Sequence, residues 1–271
     1  MTSAIEKNLC LLETLANATS PMTIADLSDA LGMPKQTVQR LVTELERLGI
    51  LTRGVPKNRI LFGPKFRSLS INSLRAETVL QTTRPILGDL VRVVKETCNI
   101  GVLAEREVVY VDRLECDWPL RVQLQPGSGV PVHCTAIGKL LLAYLPKIVR
   151  LKRFQSAPLA RYTTNTITDP QLLEDHLAGV REKGYAVNNQ EDWLGLIALA
   201  VPIFDQRGQV QAGLAIHAPT ARMTTEGLHA IRPRLEESAQ ALSKSLFPSP
   251  SRANESCPAK QNADGPIRGP V

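Results

Sequence analysis

No window of the 271-residue chain approaches the ~20 apolar residues that a membrane-spanning helix requires, so no membrane partner is expected. The start, MTSAIEKNLCLLETLA, lacks the basic segment and long apolar run that export needs. Five cysteines (Cys10, Cys98, Cys116, Cys134, Cys257) are scattered, odd in number and without CxxC spacing. They read as reduced thiols in a cytoplasmic protein, not as a disulfide frame or a metal site. Nothing in the chain calls for a cofactor.

Positive charge is present but thinly spread. The net charge of +6 and isoelectric point near 9.2 suit a nucleic-acid partner without requiring one. Residues 1–66 hold 8 Lys and Arg against 6 Asp and Glu. Binding by that segment would therefore depend on where the cations sit, and on two copies of it, more than on gross charge.

The stretch TIADLSDALGMPKQTVQRLVTELERL, residues 23–48, carries the sharpest signal. Thr23 with Asp26 is a capping pair ahead of Ile24, Leu27 and Leu31, an apolar stripe at helical spacing. Gly32 ends that helix, and Pro34 suits the first turn of the next. On the second helix Val38, Leu41, Val42 and Leu45 share one side. Gln36, Gln39, Arg40 and Thr43 fall opposite, with Lys35 and Thr37 flanking. Amide and guanidinium groups on an exposed helix can read adenine and guanine edges in a major groove, although polar outer faces are general on surface helices.

The residues after this helix favour a DNA reader over an ordinary helical hairpin. Residues 50–53 and 59–62 form a short β-hairpin around Gly54-Val55-Pro56-Lys57-Asn58, with Arg53, Lys57 and Arg59 on its loop and rims. A basic hairpin directly after a recognition helix is a wing, whose cations meet phosphates or the minor groove. A first helix near 5–15, with Ile5, Leu9, Leu12 and Ala16 inward, completes the winged helix-turn-helix.

The remainder reads as a connector, a second domain and a tail. The expected division is 1–66 for the DNA-binding domain, 67–84 for a linker helix, 85–247 for the second domain and 248–271 for a disordered tail with five prolines and few apolar residues. Helical patterning runs over 64–80 and restarts at Pro85, from Ile86 to Cys98. Short strands are expected at 100–104, 108–111 and 120–125, then a loop through Gly127, Ser128, Gly129 and Pro131. Helices come next at 136–145 and 170–183, strands at 197–204 and 209–217 around the turn Asp205-Gln206-Arg207-Gly208, and a last helix at 225–246.

That final hairpin has unequal faces. Val210, Ala212, Leu214 and Ile216 share one side of its second strand, and Gln211, Gly213, Ala215 and His217 the other. In the first strand Ile197, Leu199, Val201 and Ile203 alternate with Ala198, Ala200, Pro202 and Phe204. A floor of small residues admits either a closely packed helix or a small ligand.

The segments GSGVPVHCTAIGKLLLAYLP (127–146), TITD (166–169), GYAVNNQED (184–192) and IALAVPIFDQRGQVQAGLAIHAP (197–219) resemble the effector-binding domain of IclR-type transcriptional regulators. MPKQTVQRLVTELERLG in the winged segment is similar to the same family. The resemblance extends over about residues 3–247. It implies an α+β chain with an N-terminal winged helix-turn-helix, a linker helix and an α/β, GAF-like effector domain. It also implies a homodimer or dimer of dimers on double-stranded operator DNA, with a small organic acid, commonly aromatic, as effector of a catabolic operon. Carried over by position, the effector pocket would be lined by Val122, Ala136, Ile137, Asn188, Ala198, Ala215 and His217. Relatives often have a cysteine at the place of Ala198 and small hydroxyl residues at those of Ala215 and His217.

A carboxylate suits the free N–H groups at the start of the Ala136 helix, with His217 adding a hydrogen bond or, if protonated, a charge. The bland reading of His217 is a strand-end histidine satisfied by backbone or water. An alternative function is a regulator whose second domain only oligomerises. Adjacent His133 and Cys134 suggest a nucleophile and base, but neighbours in sequence rarely bring sulfur and imidazole together. No enzyme activity and no metal site are expected.

Overall fold

The computed structural model describes residues 3–18, 20–54, 58–104, 107–122, 124, 129–156 and 158–248. Lys57 of the wing and the segment from Ser249 onward, expected to be a disordered tail, lie outside them. The chain forms two compact units, one ending at Ser70 and the other beginning at Ile71.

The first unit contains α1 (Ala4–Asn17), α2 (Ile24–Leu31), α3 (Lys35–Arg47), β1 (Leu51–Gly54) and β2 (Arg59–Phe62). Both expected caps at α2 are present. The Asp26 amide donates to Thr23 Oγ1 at 3.3 Å and the Thr23 amide to the Asp26 carboxylate at 2.8 Å, while Gly32 closes the helix at φ +62°, a conformation that costs glycine little. The turn into α3 is held by Ser28, whose hydroxyl donates to the Met33 carbonyl at 2.6 Å. Leu11, Leu27, Val38, Leu41, Val42, Leu45, Leu51 and Ile60 make the core.

The inward face of α1 differs from expectation. Leu11 is buried, whereas Ile5 and Leu9 are 80% and 54% exposed. With leucines at 9, 11, 12 and 15 the helix has two candidate apolar stripes, and Leu11, Leu12 and Leu15 meet the core, so of the residues expected inward Leu12 packs there.

Beyond the wing, α4 (Pro64–Leu74) and α5 (Glu77–Val94) replace the two helices expected at 64–80 and 86–98. The break falls at Arg75-Ala76, and Pro85 lies inside α5. A proline deletes one helical N–H and favours a break. Here Leu87, Leu90 and Val94 pack on the sheet along one continuous helix. Lys95 then turns the chain at φ +59°, which puts Cys98 in a strand.

The second unit is built on a six-stranded antiparallel sheet. Its strands are β3 (Thr97–Leu103), β4 (Glu107–Leu114), β5 (Gly129–Pro131), β6 (Ala186–Asn189), β7 (Leu196–Phe204) and β8 (Val210–Pro219), in the order β5-β4-β3-β8-β7-β6. α6 (Ala136–Tyr144), α7 (Lys147–Ser156), α8 (Pro170–Lys183) and α9 (Thr225–Leu246) complete it. Residues 120–122, expected in a strand, are irregular, and Gly129–Pro131, expected in a loop, pairs with β4. Neither α7 nor β6 was expected: both are short, and neither carries a clear period.

The unequal faces of β7 and β8 separate two cores. Ile197, Leu199, Val201, Ile203, Leu214 and Ile216 pack with α5 and α9. Ala198, Ala200 and Ala215 join α6 and α8 on the other side. The helix sits close there: a Cβ on Gly213 would lie 2.6 Å from Ile137, and one on Gly101 would lie 2.9 Å from it. Small residues thus admit a closely packed helix over that part of the floor. Cys98, Cys116 and Cys134 are free and buried; Cys10 is not among the free thiols, so the expectation of reduced cysteines holds at those three positions.

Candidate functional site

On α3, burial of Val38, Leu41, Val42 and Leu45 forces the opposite side outward. Lys35, Gln36, Gln39 and Arg40 are exposed and Thr37 is half-buried. Gln39 donates to the Thr43 hydroxyl at 3.2 Å, a contact along the outer face that a base edge can replace. No side chain caps the start of α3.

The wing is less free than its composition suggests. Arg53 Nε donates to both carboxylate oxygens of Glu46, at 2.8 and 3.1 Å. The Arg59 guanidinium donates to the Pro21 carbonyl. Both arginines therefore have partners within the unit, whereas Lys35 and Arg40 project from α3.

In the second unit, strand register gathers most of the expected effector residues. Asn188, Ala198 and His217 stand side by side across β6, β7 and β8. Ala215 lies one row further along, next to Ala200 on β7 and Asn99 on β3. Ala136 and Ile137 open α6 over the same face. All but Val122, which is half-buried, are at most 9% exposed.

Several donors thought available are occupied. Thr135 caps α6, its hydroxyl accepting from the Gly138 amide at 3.2 Å. Asn188 donates to Asp192 at 2.5 Å and accepts from the Glu191 amide at 2.8 Å. Burial, reinforced by the Arg113 guanidinium, depresses the His217 pKa to about 3. The imidazole is thus neutral at physiological pH, so the charge-assisted role considered for it is lost. Its Nε2 lies 3.5 Å from the Tyr110 hydroxyl.

Four polar residues missed by the sequence reading share this face: Thr97, Asn99, Tyr110 and Arg113. Thr97 pairs with His217, and Asn99 stands between Ala215 and Arg113. The Arg113 side chain is only 2% exposed, and its guanidinium donates to the Val122 carbonyl. The signal was present in β3, where Asn99 and Gly101 alternate with Cys98, Ile100 and Val102. The pairing of β3 with β8 was not readable.

Comparison with known proteins places the chain. A family model for the IclR C-terminal domain of bacterial transcriptional regulators matches residues 71–244, and one for the IclR helix-turn-helix domain matches residues 4–54. The chain belongs to the IclR family. It is 40% identical to a probable transcriptional regulator, SauR, of Cupriavidus necator, over 87% of this chain and 94% of that one. Among solved structures it resembles an IclR homologue from Microbacterium hydrocarbonoxydans complexed with 4-hydroxybenzoate. Identity there is 26% with a TM-score of 0.57, covering 90% of this chain and 99% of that one. It also resembles a double mutant of the PobR inducer-binding domain from Acinetobacter in complex with 3-hydroxybenzoic acid, at 32% identity and a TM-score of 0.56, over 60% of this chain and 96% of that one.

As an IclR-family protein the chain is a DNA-binding transcriptional regulator, not an enzyme. The His133-Cys134 pair agrees with this. His133 Nε2 lies 2.8 Å from the Ala160 carbonyl, and burial, then the nearby Asp192 and Glu191, push the Cys134 thiol up to about 12, far from a thiolate nucleophile. Among the described residues no group of three or more His, Cys, Asp or Glu is arranged to hold a metal, and no helix is long and apolar enough to cross a membrane. Two hollows lie away from the expected pocket. One is apolar, under α5 and α9 near Ile100, Val111 and Phe247. The other runs beside α8 near His176, Lys183 and His229.

Proposed function

We propose that this IclR-family regulator acts in the cytoplasm on a catabolic operon and is controlled by a small organic carboxylate, aromatic in type, bound in its second unit. Gln36, Gln39 and Arg40 contact bases of double-stranded operator DNA, with Lys35 and Thr37 helping at bases or phosphates. Arg53, Lys57 and Arg59 hold the backbone, the two arginines exchanging their internal partners for phosphate. The effector lies against Ala198, Ala215 and His217, beneath Ala136 and Ile137, with Asn188 and Val122 at its margins. A homodimer or dimer of dimers presents two recognition helices at once, which the small cation excess of residues 1–66 calls for.

The observation that carries this reading is the buried polar face at the His217 end of the sheet. Buried polar groups are costly unless something pairs with them, and a bound acid supplies acceptors. The hydroxybenzoates held by the two neighbouring structures favour an aromatic acid. A second reading, a unit used only for assembly, draws on the close packing of Ile137 against Gly213.

A thermal-shift screen of the full chain against aromatic and aliphatic acids and their amides separates the two. Saturable stabilisation by an acid, absent with its amide and accompanied by altered operator affinity, is the expected result. A response to none of the acids with operator binding intact would leave the assembly reading.

A further inference from the structure

An anionic effector is held most firmly by a cation that stays charged after burial, and the positions expected to line the pocket supply none. His217 is neutral, Asn188 carries no charge and already bonds Asp192 and the Glu191 amide, and the first turn of α6 has one amide capped by Thr135. Two strands beyond β8 on the same face stands Arg113, directly opposite Asn99 on the intervening β3, which is in turn opposite Ala215. Asn99 is 0% exposed. The Tyr110 hydroxyl is near enough to feel its amide, yet neither Asn99 Oδ1 nor Nδ2 completes a hydrogen bond. Arg113 Nη1 is likewise buried without a hydrogen-bond partner.

The nearby carboxylates leave Arg113 Nη1 open. Glu115 lies 3.6 Å from Arg113 Nε and is held by Arg121 at 2.7 Å. Asp192 accepts from Asn188 at 2.5 Å and from the Trp193 amide at 2.9 Å. A guanidinium edge, an amide and a phenol thus share one face of the sheet, with the neutral imidazole of His217 3.5 Å from the Tyr110 hydroxyl.

We infer that Arg113 and Asn99 form the anion anchor of the effector site: the acid group of a small organic carboxylate accepts from Arg113 Nη1 and from the Asn99 amide. The rest of the ligand lies along Ala215 and Ala198, with His217 and the Tyr110 hydroxyl available to a neutral oxygen on it. The inference rests on the carboxylate reading above and moves the acid group from the α6 terminus to the strand pair β3–β4. A guanidinium donating through its unpartnered Nη1 favours carboxylate over amide, because with the carboxylate both partners of the bond are charged.

The test uses the full chain and four probes, 4-hydroxybenzoate, 3-hydroxybenzoate and their two amides, read by thermal shift and calorimetry. Wild type is compared with Asn99→Asp and Arg113→Gln. Asn99→Asp sets a carboxylate opposite the guanidinium, so it should melt no lower than wild type yet bind the preferred acid at least tenfold more weakly. Arg113→Gln should lose the preference for acid over amide. Acid binding in folded Asn99→Asp within threefold of wild type, with the preference intact, overturns the anchor and leaves the carboxylate reading standing. If Arg113→Gln does not fold, Asn99→Asp decides alone. A wild-type protein that binds an amide as tightly as its acid overturns the anchor and the carboxylate reading together.

Discussion

Glu46 on the recognition helix accepts from Arg53 on the first wing strand through both of its carboxylate oxygens, at 2.8 and 3.1 Å. The pair occupies a cation that the proposed wing contact would offer to phosphate. Both side chains keep about a quarter of their surface exposed, so the pair adds little to stability but competes with phosphate for Arg53. Glu46→Gln should release it. Binding to random duplex DNA should tighten, and the slope of log K against log salt should steepen by up to about 0.9, the value of one phosphate contact, as Arg53 is freed from competition. Fluorescence anisotropy at four salt concentrations measures this. An unchanged slope would show that Arg53 does not reach the backbone.

Arg40 tests the other half of the interface. It projects from the exposed side of α3 and makes no contact needed by the core. Arg40→Ala should leave the melting temperature unchanged and cost about 1–3 kcal/mol on operator DNA, with preference relaxed at one base pair. Random DNA should lose far less. Equal losses on operator and random sequence would turn Arg40 into a phosphate contact and shift base reading to Gln36 and Gln39.

The winged unit was legible because its signals are local. Thr23 with Asp26, Gly32, and the period of Val38, Leu41, Val42 and Leu45 each act within one or two turns of helix. The unequal faces of β7 and β8 were legible for the same reason. What covers the small face was not, since Ile137 reaches Gly213 and Gly101 only through the folded sheet. Pro85 misled because the local rule, a break at proline, lost to burial of Leu87 and Leu90. Arg113 escaped notice because its neighbours Asn99 and Ala215 come from strands far apart in sequence, and register alone brings them together.

The buried imidazole of His217 gives a pH dependence with a definite sign. Its pKa in the folded chain is held near 3, against ~6.5 in an unfolded chain. Below pH ~6.5 the unfolded state takes up a proton that the folded state refuses, so stability falls as pH falls through that window and is fully present above it. Between pH 7 and pH 5 this residue should account for a loss of about 2 kcal/mol. His217→Gln should flatten that part of the curve in urea titrations at successive pH values. A variant with the same pH slope as wild type would mean that the ring is protonated in the fold.

Lys139 and Glu191 pose a harder demand on the second unit. Lys139 is 0% exposed, its ammonium contacts Glu191 Oε1, and burial lowers its pKa despite that partner. Glu191 is fixed from its backbone, where its carbonyl accepts from Thr166 at 2.6 Å, and its Oε2 has no hydrogen-bond partner. Lys139→Met should therefore strand a carboxylate that cannot turn to water, at a cost of about 3–5 kcal/mol. Removing both charges, in Lys139→Met with Glu191→Leu, should recover most of that loss, because the pair is held together at high desolvation cost. Urea midpoints of the two single variants and the double variant complete the cycle. If the double variant is as unstable as the sum of the singles, the charges do not act as a pair and the contact between α6 and the Glu191 turn rests on packing alone.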